Sequence, residues 1–247
     1  MRKHQFHSVY LNRKAIATKP FKARGAKVIR CEYCRVRESD CLCDDQPNID
    51  TAIHAVLILS DNEILKPSNT GRLIADVVPN TFVYRWNRTE PEVGLLELLS
   101  SEDYEPILVF PEEYIDNKTR VIDTQYFTVK SVRKPLLIFV DATWREARRI
   151  IRKSPYLDHC KVMSFKPETI SQYQMRSSIN ENHLATAEVA ALALFQGGEP
   201  QASEALERWF KVFKESYMKS KTRIKSDDSR PELHSWREWI KENGSKE

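Results

Sequence analysis

Five short apolar runs punctuate the chain. Residues 52–60 (AIHAVLILS), 81–86 (TFVYRW), 107–110 (ILVF), 136–140 (LLIFV) and 161–165 (KVMSF) are nearly continuous in hydrophobic character. Runs this short, rich in Val, Ile, Leu and Phe, read as strands buried on both faces rather than as amphipathic ribbons. Helical periodicity fills the intervals over 71–78, 93–100 and 144–153, and a further helix, 184–196, follows the last strand. That alternation predicts an α/β fold with a parallel sheet covered by helices on both faces. From about residue 202 the pattern changes to a long, charged, amphipathic helix whose apolar side carries Trp209, Phe210, Phe213 and Tyr217.

Composition adds bounds. With 247 residues and 41% apolar content, the chain can bury one sizeable core with appendages. No apolar run approaches the ~20 residues that cross a bilayer, so a soluble, cytoplasmic protein without membrane partners is expected. The net charge of +4 is unevenly placed: residues 1–30 hold nine Lys and Arg and no acid, while the remaining 217 carry 30 basic and 35 acidic side chains. Such an arm is either a solvated terminus or a sequence-independent grip on phosphate backbones.

Four of the five cysteines, Cys31, Cys34, Cys41 and Cys43, fall within thirteen residues as CxxC followed by CxC. Paired thiolates two or three residues apart let one tight turn present two ligands, and four of them close a tetrahedral zinc site. A closed site of four cysteines is structural, since no position remains for a reacting water. Disulfides are the weaker explanation, because the cluster is local and no hydrophobic signal segment precedes it. Beside such a knuckle, Arg24, Lys27 and Arg30 read as nucleic-acid contacts. The expected organisation is a basic arm over 1–30, a zinc knuckle over 31–50, a catalytic domain over 51–200 and a helical extension over 201–247.

Ligands of open α/β sheets sit beyond the carboxyl ends of the strands, and three unusual segments fall there. Residues 66–72 (KPSNTGR) open a helix with small polar side chains and two cations, which suits either a carboxylate or phosphate ligand or simple capping. Asp141, in the turn Asp141-Ala142-Thr143-Trp144, is either a poorly solvated base at a strand tip or an N-cap. The helix behind it carries Arg145, Arg148, Arg149 and Arg152, spaced to share a face that is either solvated or phosphate-binding. Glu188, in Ala185-Thr186-Ala187-Glu188, meets a cationic ligand group or completes a first helical turn. The six glycines cannot build GxGxxG, which excludes a Rossmann-type cofactor loop.

The blocks KPSNTGR, VFP at 109–111, DATW at 141–144 and ATAE at 185–188, in this order behind a CxxC…CxC cluster, resemble the DTW-domain family, in particular its bacterial tRNA-uridine aminocarboxypropyltransferases. The resemblance spans roughly residues 13–225 and implies a fold similar to the knotted SPOUT methyltransferases. It implies transfer of the 3-amino-3-carboxypropyl group of S-adenosylmethionine to N3 of a variable-loop tRNA uridine, with release of 5′-methylthioadenosine. On that basis Asp141 is the expected base, with Thr143 and Trp144 in the same catalytic turn and Trp144 stacking on a base or packing under the loop. Arg148 or Arg149 would steady the uridine anion or hold a flanking phosphate. Ser68, Asn69, Thr70 and Arg72 would grip the co-substrate's carboxylate and Glu188 its ammonium, Gly71 and Thr186 would also contact the co-substrate, and Phe110 and Pro111 would border its adenosine. A SPOUT-like methyltransferase and a non-catalytic zinc-containing RNA-binding protein are the competing expectations. A monomer is favoured, since the extra segments can stand in for a partner subunit.

Overall fold

The structure, a computed structural model, describes residues 1–18, 27–123, 126–128, 132–166, 184–220 and 229–244. Its centre is a six-stranded, all-parallel sheet of β1 (His54–Leu59), β2 (Thr81–Arg85), β3 (Tyr104–Val109), β4 (Val121–Ile122), β5 (Lys134–Asp141) and β6 (Lys161–Met163). The spatial order is β2-β1-β5-β3-β6-β4. Each of the five apolar runs has become a strand. β3 starts earlier than its apolar run, because Tyr104, Glu105 and Pro106 pair with Lys134, Pro135 and Leu136 although they are only half-buried. β4 is new: two residues beside β6, too short to leave a periodic signature.

Alternation along each strand divides the core in two, as the pleat requires. Ala55, Leu57 and Leu59 of β1, with Leu137 and Phe139 of β5, face one side. There they meet α1 (Gln5–Ala15), α2 (Arg72–Val77), α5 (Thr186–Gln196), α6 (Pro200–Lys219) and α7 (Pro231–Asn243). Val56, Ile58, Leu136 and Ile138 face the other side, against α3 (Val93–Ser100) and α4 (Trp144–Arg152). Among the described residues no helix is long and apolar enough to cross a membrane.

The N-terminal and C-terminal segments belong to the first of these cores. Phe6 and Tyr10, four residues apart on one face of α1, are buried in it. Gln5 accepts the Val83 N–H at 2.8 Å and so occupies part of the edge of β2. Arg13 forks onto Asp61, with Nε–Oδ1 at 2.8 Å and Nη2–Oδ2 at 2.7 Å. At the other end, Trp236 of α7 lies against Trp209 of α6 at 5.5 Å between ring centroids and donates from Nε1 to the Asp45 carbonyl at 2.8 Å. Arg237 forks onto the Asp45 carboxylate beside the cysteine segment.

Candidate active site and metal centre

The carboxyl ends of β1 and β5 lie side by side, with Leu59 opposite Asp141 and the Ser60 N–H donating to the Asp141 carbonyl at 3.0 Å. The chain leaves β1 toward β2 on one side and places every later strand on the other, so this is where the strand order reverses. Loops diverge at such a point and leave a crevice.

Asp141 ends β5 and is only 5% exposed. Its Oδ2 accepts from Asn69 Nδ2 at 2.6 Å and its Oδ1 from Thr186 Oγ1 at 2.8 Å. One carboxylate therefore joins the β1–α2 loop to the start of α5. Burial pushes its pKa up to about 6, against the two hydrogen bonds, which favour the ion. Asn69 also accepts the Arg72 N–H at 2.9 Å and donates to the Glu63 carbonyl, so its amide orientation is fixed from both ends. Gly71 is required by close approach: a Cβ there would stand 2.3 Å from Asp141 Oδ2.

Capping does not explain Asp141. The N-cap of α4 is Thr143, whose Oγ1 accepts the Glu146 N–H while Glu146 Oε2 receives the Thr143 N–H and hydroxyl, the reciprocal capping box. Capping does account for Glu188, which is buried and accepts the Ala185 N–H at 2.7 Å. The two cations of residues 66–72 part company. Lys66 pairs with Glu63 and faces open space, whereas Arg72 is 2% exposed and turned to Asp76 at 3.1 Å, over the Phe213 ring. Ser68 is exposed and Thr70 half-buried on that loop, and Pro111 is half-buried after β3.

An open groove of about 1460 Å³ runs between α4 and the 112–120 segment. One wall carries Arg145, Arg148, Arg149 and Arg152, so the structure does bring the four predicted arginines together; Tyr114 and Arg120 are on the other, and Lys66 and Thr143 also border it. Asp141 is not part of this lining. Four acids border the groove as well: Glu146 is engaged by Thr143 and Asp158 lies 3.7 Å from Arg120, while Glu113 and Asp116 are exposed on the wall opposite α4. Among the described residues none of the four α4 arginines forms an ion pair. Trp144 is 45% exposed and lies nearly parallel to Phe110, centroids 5.6 Å apart, with Tyr114 edge-on at 5.2 Å. Arg148 rests over Tyr114 and Arg149 over Trp86. Tyr114 and Arg120 escaped the sequence reading: they lie in a polar segment with no periodic signal, and only the fold brings them opposite α4. Of the predicted basic contacts, Lys27 is exposed and Arg30 lies over Tyr217 while donating to the Arg35 carbonyl; Arg24 lies outside the described residues.

The four clustered cysteines converge, all Sγ atoms within 4.8 Å of one another. Cys31–Cys43 and Cys34–Cys41 are separated by 3.6 and 3.8 Å. A tetrahedron with Zn–S bonds of about 2.3 Å has edges of about 3.8 Å, so the group can hold one metal ion and fits zinc. The turn is built for it: Arg35 takes a left-handed conformation (φ 61°), the Cys31 N–H bonds the Val36 carbonyl, and the Leu42 N–H points at Cys34 Sγ at 3.5 Å. Crowding drives the thiols apart in acidity. The bond shared with Cys43 pulls Cys34 down to about 5, and the same bond, with burial, pushes Cys43 up. A dication removes that conflict by stabilising all four thiolates. Val36 and Leu42, between these ligands, are buried in the main core. Removing the metal should therefore loosen more than the knuckle. Metal analysis of the purified protein is expected to find about one zinc per chain, and chelation to lower Tm; protein free of zinc would refute the assignment.

One parallel α/β domain thus carries a buried carboxylate at its switch point, an arginine-lined groove and a four-cysteine clip. Residues 28–218 match the DTW domain, and the chain belongs to that family. Membership suggests a tRNA-modifying function. No solved structure matches the chain.

Proposed function

We propose that the protein is a tRNA-uridine aminocarboxypropyltransferase with a SPOUT-like, knotted catalytic domain. The observation that carries this reading is Asp141: a buried carboxyl at the switch point, raised in pKa, fixed by Asn69 and Thr186, and two residues before Thr143, which borders the arginine-lined groove. S-adenosylmethionine is the co-substrate and supplies the 3-amino-3-carboxypropyl group with a sulfonium leaving group. Uridine N3 carries a weakly acidic proton, and Asp141 takes it as N3 becomes the nucleophile. The N3–carbon bond forms as the carbon–sulfur bond breaks, and 5′-methylthioadenosine leaves. Arg148 and Arg149 balance the uridine anion or an adjoining phosphate. The exposed polar groups of residues 66–72, with Lys66 as their outward cation, suit the co-substrate's carboxylate; Arg72, committed to Asp76, does not. Phe110 and Pro111 border the adenosine.

The test is transfer itself. Unmodified tRNA is incubated with the protein and S-adenosylmethionine labelled in its carboxyl carbon, then digested to nucleosides. Label is expected in a modified uridine. In a parallel incubation with methyl-labelled S-adenosylmethionine, transfer of the methyl label with none from the carboxyl-labelled co-substrate would replace this reading with an RNA methyltransferase.

A further inference from the structure

We infer that the groove beside α4 receives an unpaired stretch of RNA with one base extruded onto the outer face of Trp144. This rests on the RNA reading above and deepens it. Among the five tryptophans, Trp209, Trp236 and Trp239 are buried and Trp86 is half-buried, with its indole N–H engaged by Ser154 at 3.0 Å. Trp144 differs: it is 45% exposed, yet Phe110 lies under it and Tyr114 stands against it. Leaving so large an apolar face in water is costly, while a ring already held by two neighbours loses little freedom when it stacks on a ligand. Every nucleobase has a face that fits such a ring.

Trp144 does not itself line the groove, but its chain neighbours Thr143 and Arg145 and its ring partner Tyr114 do, so the groove adjoins the ring and supplies the other half of a nucleotide site. The α4 arginines carry no carboxylate partner among the described residues. Arg148 and Arg149 are placed by ring contacts at 5.5 and 5.8 Å, which leave guanidinium N–H groups for phosphate oxygens. Charge complementarity thus names the backbone and Trp144 names the base. The reaction proposed above also calls for an unpaired substrate, because attack by N3 needs the Watson–Crick edge of the uracil uncovered. A base inside a duplex offers neither that edge nor a free face, so it must leave the stack.

Binding can be measured without co-substrate or turnover. Fluorescein-labelled rU12 is titrated with the full chain by anisotropy, alongside an rU12·rA12 duplex. The single strand is expected to bind tighter than the duplex. Trp144→Phe should keep most of the affinity, and Trp144→Leu should lose roughly 5- to 150-fold. Arg148→Gln/Arg149→Gln should reduce the slope of log K against log salt by about 1.4, the loss of two single-strand phosphate contacts. Unchanged binding by Trp144→Leu, with native circular dichroism, overturns the inference, as does a preference for the duplex. A protein that binds RNA in this way but transfers no label defeats only the enzyme proposal. One that transfers label while Trp144→Leu binds normally defeats only this one.

Discussion

Asp141→Asn is expected to lower turnover by roughly 10²- to 10⁴-fold, the usual worth of a positioned general base, while co-substrate and RNA binding persist. The substitution suits the site because it is nearly isosteric. An asparagine carbonyl can accept from Asn69 Nδ2, and its NH2 can donate to Thr186 Oγ1, which reverses its role, so both cross-loop contacts survive. Alanine is a poorer choice, since it would leave one of the two Asn69 amide N–H groups buried without its acceptor, the other keeping the Glu63 carbonyl. The pH profile gives an independent reading. Burial raises the carboxyl to about 6 from its ordinary 3.8, so the native protein holds this proton across that interval. Turnover by the carboxylate should therefore climb with pH and level off above about 6, and Asp141→Asn should lack that limb. Stability runs the other way. The preference for the protonated form stabilises the fold fully below about 3.8 and is lost as pH rises through about 6. Asp141→Asn should thus match or exceed the parent in Tm at pH 7 to 8. A variant with parental turnover would remove Asp141 as base, whatever the binding data show.

What could be read from the chain was what is local. The apolar runs ending at Leu59 and Asp141 are strands because their own residues make them so, and Asp141 was suspect because a carboxylate closes a buried run. The four arginines of α4 follow from helical spacing alone. Partners distant in sequence were not legible. Asp141 and Asn69 are 72 positions apart, and only the parallel pairing of β1 with β5 brings their loops together. Thr186 lies 45 positions from Asp141, and the bond its hydroxyl donates to that carboxylate has no local signal in the sequence. The N-terminal stretch was read by its charge, although Phe6 and Tyr10, four apart with His7 between them, carry a weak helical signal. Arg72 lies outside what spacing can convey. Its neighbours Asn69 and Gly71 do belong to the Asp141 site, but as the first residue of α2 its side chain projects to the opposite side, toward a carboxylate one turn further on.

That carboxylate, Asp76, should carry the largest single contribution to stability. It is 4% exposed and accepts four hydrogen bonds. His4 Nε2 and Gln46 Nε2 meet Oδ1 at 3.0 and 2.9 Å; Arg72 Nη1 and Trp209 Nε1 meet Oδ2 at 3.1 and 2.9 Å. These donors come from the N-terminal segment, the stretch after the cysteines, α2 and α6, so one side chain ties the appended pieces to the sheet domain. Burial alone would raise its pKa, but Arg72, His4 and Trp209 together hold it well below the usual carboxylate range. In Asp76→Asn an NH2 group faces two donors, and the buried Arg72 guanidinium loses its counter-charge. Breaking one side of a buried ion pair costs about 3–5 kcal/mol, and urea unfolding at pH 7 should show a loss of that size at an unchanged m-value. The sign with pH follows from the depressed pKa: the stabilisation is present above the unfolded value of 3.8 and disappears as acidification approaches the native one. Parent and variant curves should therefore begin to approach each other as pH falls below about 4 and draw steadily closer on further acidification. Replacing both partners, as Arg72→Met/Asp76→Leu, removes the stranded charge, although it still deprives His4, Gln46 and Trp209 of their acceptor. It should be less damaging than the two single substitutions added together. An Asp76→Asn protein within 1 kcal/mol of the parent would show that the four pieces are held by apolar packing alone.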